Sequence, residues 1–128
     1  MKKFALMILI TFGFGQTFAQ NLQMPDTLKA TMKIMGDDMK KLIAQSNKAE
    51  LNSESTATAE ELVRLIENAK RFNPEVGDKA EYLKAMEKTK ALATQLVDAF
   101  KENKNNQATD ILKALSGSKR EGHSNFKD

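Results

Sequence analysis

Leu28, Met32, Met35, Met39 and Leu42 recur at spacings of four, three, four and three residues. That alternation follows the 3.6-residue turn of an α-helix and sets all five side chains on one face. Lys29, Lys33, Asp37, Asp38, Lys40 and Lys41 fall largely off that face, and Asp37-Asp38 reads as a solvated pair. The spacing predicts a helix over about 27–47, capped by Asp26 or Thr27. Gly36 weakens this helix by about 1 kcal/mol relative to Ala. A stripe of this kind has to be buried against another element of the chain.

Three further stretches carry the same period. Asn47 to Thr58 is polar and reads as a loop, with Thr58 and Glu61 forming a capping box before helix two. Leu62, Leu65, Ile66 and Ala69 make that helix's apolar face, and Asn73-Pro74 stops it. Asp78 with Glu81 caps helix three, whose buried side is expected to run through Tyr82, Leu83, Met86, Leu92, Ala93, Leu96, Val97 and Phe100. The asparagine-rich segment 101–106 is a turn. Helix four is expected over about 107–125, with Ala108, Ile111, Leu112, Leu115, Lys119, Gly122, His123 and Phe126 on or near one face. With little strand signal and no internal repeat, the expected fold is all-α, an antiparallel up-down-up-down four-helix bundle.

The first 19 residues stand apart. Met1-Lys2-Lys3 is positive, Phe4 to Phe14 is nearly all apolar, and Thr17-Phe18-Ala19 offers small residues for cleavage. This is the order of a secretory signal peptide. The alternative, an uncleaved anchor, is disfavoured because the apolar run is shorter than the roughly 20 residues a span needs. The expected organisation is a signal peptide over 1–19 and a bundle domain over 20–128, with no membrane span in the mature chain. Losing Lys2 and Lys3 takes Lys plus Arg from 20 to 18 against 17 Asp plus Glu, a net charge of +1. No basic stripe interleaved with aromatics points to nucleic acid. The absence of cysteine excludes disulfides, thiolate metal sites and thioether-linked cofactors. One histidine, no cysteine and no glycine-rich phosphate loop nominate no nucleophile–base pair, so the chain is not read as an enzyme.

Topology decides which distant residues meet. In an up-down-up-down bundle the start of helix one and the end of helix four share one end, and the two helices are adjacent. Met32 lies about five residues into helix one, roughly 8 Å at 1.5 Å per residue. His123, the sole histidine, lies at a similar depth in helix four. Phe72, Tyr82 and Met86 would reach the same end from the other two helices. A thioether and an imidazole facing one apolar slot is the axial pair of many electron-transfer haems. Periodicity by itself leaves other readings open. Met32 is then core filling and His123 a solvated side chain. Met32, Met35 and Met39, with Met24 and Met86 in reserve, would alternatively offer soft ligands to Cu(I). A haem-free helical interaction module is a third possibility, because a fold does not determine a function.

Two stretches resemble the soluble periplasmic cytochrome b562 family, the b-type relatives of the cytochrome c-prime bundles. Leu28-Lys-Ala-Thr-Met32-Lys-Ile-Met35-Gly-Asp-Asp-Met39 is similar to that family's first helix, and Arg120-Glu-Gly-His123-Ser-Asn-Phe126 to its last. The resemblance implies one noncovalent haem b with Met32 and His123 as its iron ligands. It also implies a monomeric periplasmic electron carrier serving an unidentified redox partner protein. Lys119, Arg120 and Lys127 are candidates to face the haem propionates. The c-type relatives carry Cys-x-x-Cys-His, whose cysteine positions are here Lys119 and Gly122.

Overall fold

A computed structural model describes residues 24–127, so the segment read as a signal peptide lies outside the described residues. Four helices form the bundle: α1 (Leu28–Gln45), α2 (Asn52–Ala69), α3 (Lys79–Lys101) and α4 (Asn105–Phe126). A single 3-10 turn, Ala49–Leu51, joins α1 to α2. Thr27 caps α1 by accepting from the Ala30 amide at 3.1 Å, and Asp78 caps α3 by accepting from the Glu81 amide at 3.0 Å. At the end of α3, Asn103 takes a left-handed conformation with φ 59°. The Lys104 amide then donates to Ala99 O at 2.8 Å and the Asn103 amide to Phe100 O at 3.1 Å. This paired closure satisfies the last carbonyls and reverses the chain in three residues, with asparagine tolerating the positive φ.

The beginning of α2 corrects the sequence reading. Thr58 caps nothing: it sits inside the helix, and its hydroxyl donates to Glu54 O at 3.1 Å. The helix starts six residues earlier, at Asn52, through a stretch low in apolar residues. Burial there is achieved by hydrogen bonding instead. Asn52 Nδ2 donates to Asn103 Oδ1 at 2.9 Å and Asn105 Oδ1 at 3.0 Å, and Ser55 Oγ donates to Gln45 Oε1 at 3.0 Å. Buried polar groups with partners carry little penalty, so the helical period continues in small and polar residues. Asn52, Ser55, Ala59, Leu62, Ile66 and Ala69 are all buried at spacings of three, four, three, four and three.

The core joins Leu42 of α1, Leu62 and Ile66 of α2, Leu96 and Phe100 of α3, and Leu112 and Leu115 of α4. Consecutive helices pack closely, whereas α1 and α4 meet at only a few points. The bundle is therefore closed on three sides and loose on the fourth. Tyr82, 2% exposed, ties α3 to the end of α2 by donating its hydroxyl to Ala69 O at 2.6 Å.

Candidate functional site

The loose edge holds a cavity of about 790 Å³ between α1 and α4. Its size lies within the roughly 300–1,000 Å³ of sites that take small molecules and cofactors. Each helix supplies part of the wall because each presents its apolar stripe to the bundle axis. Met32, Met35 and Met39 come from α1, Leu62 and Ile66 from α2, and Tyr82 and Met86 from α3. Leu115, His123 and Phe126 come from α4. Met32 is half-buried, while His123 is exposed at the rim. The two residues singled out in the sequence thus line one cavity from its first and last helices. Met39 is buried, as a core role requires, although it also forms part of the wall.

The end of α4 is held in place by the α2–α3 connection. The Val76 amide donates to Phe126 O at 3.1 Å, and the Phe126 ring meets Tyr82 edge-on at 5.6 Å between centroids. Gly77, at φ 90°, lets this approach happen: a Cβ there would lie 2.9 Å from Asn125 O and 3.0 Å from Phe126 Cδ1. His123 is one turn back from these contacts, and its carbonyl accepts the Lys127 amide at 3.3 Å. The last turn therefore keeps its register despite Gly122.

Charge at the cavity comes mainly from lysines. Lys119 crosses from α4 towards α1, with Nζ 3.7 Å from where a Cβ on Gly36 would be. Lys127 also lines the cavity, whereas Arg120 does not. Phe72 departs from expectation too: it is absent from the cavity wall and instead packs beneath the Arg71 guanidinium at 4.4 Å. Phe72 follows the end of α2, and Tyr82 and Phe126 supply the aromatic side chains of the wall.

Asp38, expected to be solvated, is only 8% exposed. Its Oδ2 has no hydrogen-bond partner among the described residues. Burial first, and then the neighbouring Glu61 carboxyl, push its pKa up to about 8. The sequence signal for this is the heptad separating Thr31, Asp38 and Gln45, a row set beside the methionine stripe. Burial raises the Tyr82 phenol in the same direction, which keeps that hydroxyl a donor.

A thioether, an imidazole and an apolar slot suit a flat, largely hydrophobic metal complex. The described residues contain no group of three or more His, Cys, Asp or Glu placed to hold a metal ion. A model of the family described as Cytochrome b562 matches residues 27–127, which takes in all four helices. Comparison with curated proteins and with solved structures found no match. The family binds haem b noncovalently, in agreement with a chain that has no cysteine for attachment.

Proposed function

The chain belongs to the cytochrome b562 family, and on that premise we propose that it is a periplasmic electron-transfer protein with Met32 and His123 as the axial haem ligands. The observation that carries this reading is the placement of both side chains on the wall of the cavity between α1 and α4. Bound haem supplies a reversible one-electron centre. The protein's part is to choose ligands, exclude water and hold the site at the bundle end. Met32 contributes a soft thioether, which favours the reduced state and raises the potential. His123 binds through one ring nitrogen and is left with a second N–H for a carbonyl, side chain or water. Met32 and His123 would together hold the iron and leave it no exchangeable site for oxygen or substrate, which favours a carrier over an enzyme. Leu62, Ile66, Tyr82 and Met86 keep the deep wall apolar. Lys119 and Lys127 line the cavity and are the candidates to pair with the propionates. The charged, apolar and small-residue order of residues 1–19 supports export.

Oxidised and dithionite-reduced absorption spectra test the reading. The wild type purified from the periplasm should show a low-spin haem extractable by acid-acetone. His123→Ala should lose six-coordinate haem, and Met32→Ala should give five-coordinate or water-ligated haem in a folded bundle. Wild-type spectra in both variants would reject the ligand assignment. A protein that stayed colourless with added hemin would reject haem binding. Copper analysis would then be the next measurement, because Met32, Met35, Met39 and Met86 all line the same cavity.

A further inference from the structure

The seam between α1 and α2 is a polar ladder with a seven-residue step. Thr31 meets Asn68, Asp38 meets Glu61, and Gln45 meets Glu54, so each step forward on α1 is a step back on α2. The outer rungs are complete. Asn68 Nδ2 donates to Thr31 Oγ1 at 3.0 Å. Gln45 Nε2 donates to Glu54 Oε2 at 3.1 Å, and Lys41 joins Glu54 at 3.0 Å. The middle rung sets one carboxyl against another. Asp38 is more than nine-tenths buried, and its Oδ2 has no hydrogen-bond partner among the described residues. Two ionised carboxylates at this place would repel and leave an acceptor unsatisfied. One proton supplies the missing donor and removes one of the two charges.

We propose that Asp38 keeps its carboxyl proton at the middle of the α1–α2 seam and donates it towards Glu61, and that this proton latches α1, the helix carrying Met32, onto α2. The charged groups acting on the site are Glu61 from α2 and Asp37 and Lys41 from α1. Lys41 is already engaged with Glu54, so it does not substitute for the proton. The latch matters because α1 has no second firm neighbour: it packs along α2 and meets α4 at few points. Proton loss to water converts the middle rung from a bond to a repulsion and loosens α1 along its one seam. The proton site exists with or without haem. Its effect on the thioether rests on the ligand reading above.

Infrared spectroscopy of the full chain, with aspartate carboxyls labelled with carbon-13, tests the site directly. The wild type at about pH 6 should show a protonated carboxyl stretch that shifts with the label and disappears as pH is raised through about 8. The band should be present with and without haem and absent from Asp38→Asn. Absence of a label-sensitive band in the wild type would overturn the proposal without recourse to any variant, as would its persistence in Asp38→Asn. Amide hydrogen exchange, corrected for intrinsic rate, reads the latch. Protection along 28–45 should fall across the same titration in the wild type and stay level in Asp38→Asn. Equal pH dependence in both proteins would reject the latch even if the Asp38 proton stood.

Discussion

Replacing Gly77 by Ala probes the contact that fixes the end of α4. The perturbation has two parts. First, φ is 90°, a conformation in which an L-residue is disfavoured by about 1–2 kcal/mol. Second, the added Cβ would stand 2.9 Å from Asn125 O and 3.0 Å from the Phe126 ring, so one side must move. The carbonyl is backbone within the last helical turn and yields little, and overpacking of this kind costs about 1–3 kcal/mol. Together they give a destabilisation of about 2–5 kcal/mol, part of it relieved if the Val76–Phe126 hydrogen bond opens. Urea unfolding of the haem-free protein should show a lower midpoint with an unchanged slope. Hemin titration should then show weaker binding, because the displaced turn carries His123. Gly122→Ala is the control: nothing lies within 4 Å of its Cβ, the residue is helical, and the change should stabilise by up to about 1 kcal/mol. A Gly77→Ala midpoint equal to wild type would refute both the strain and the close approach.

Three other outcomes are expected. Tyr82→Phe removes the buried hydroxyl that donates to Ala69 O and should cost about 1 kcal/mol in urea unfolding. Asn105→Ala removes the bond to Ser46 O and half-empties the partner set of buried Asn52, for about 1–3 kcal/mol in the same assay. For Asp38 the folded pKa lies above the ordinary value, so the native state holds a proton that the unfolded chain releases between about pH 4 and 8. Stability should therefore fall as pH rises through that window, by at most about 1.4 kcal/mol per pH unit, and level off above it. Glu54 and Glu67, held low by Gln45 with Lys41 and by Lys90 with Lys70, contribute in the opposite sense and only at acid pH. Unfolding midpoints across a pH series should show the decline in wild type and lose it in Asp38→Asn.

The apolar stripes at alternating three- and four-residue spacings determined the helices, their buried faces and the antiparallel order, because a helix period survives in any context. The Asp78 cap and the position of Tyr82 and Met86 were legible for the same local reason. Polar burial was not legible. Asn52 and Ser55 extend α2 because Asn103, Asn105 and Gln45 arrive from distant parts of the chain to bond them. The heptad of Thr31, Asp38 and Gln45 marks a polar seam only once Glu61 and its neighbours on α2 are placed opposite it. The sequence could nominate Met32 and His123, separated by 90 intervening residues, through topology and family pattern alone. Only the tertiary structure decided that α1 and α4 meet at few points, that Phe72 stays out of the cavity wall that Tyr82 and Phe126 share, and that Gly77 admits the end of α4. These features depend on the distance between helices, which is set by how whole side-chain layers pack and by which polar groups find partners, and no local period encodes it.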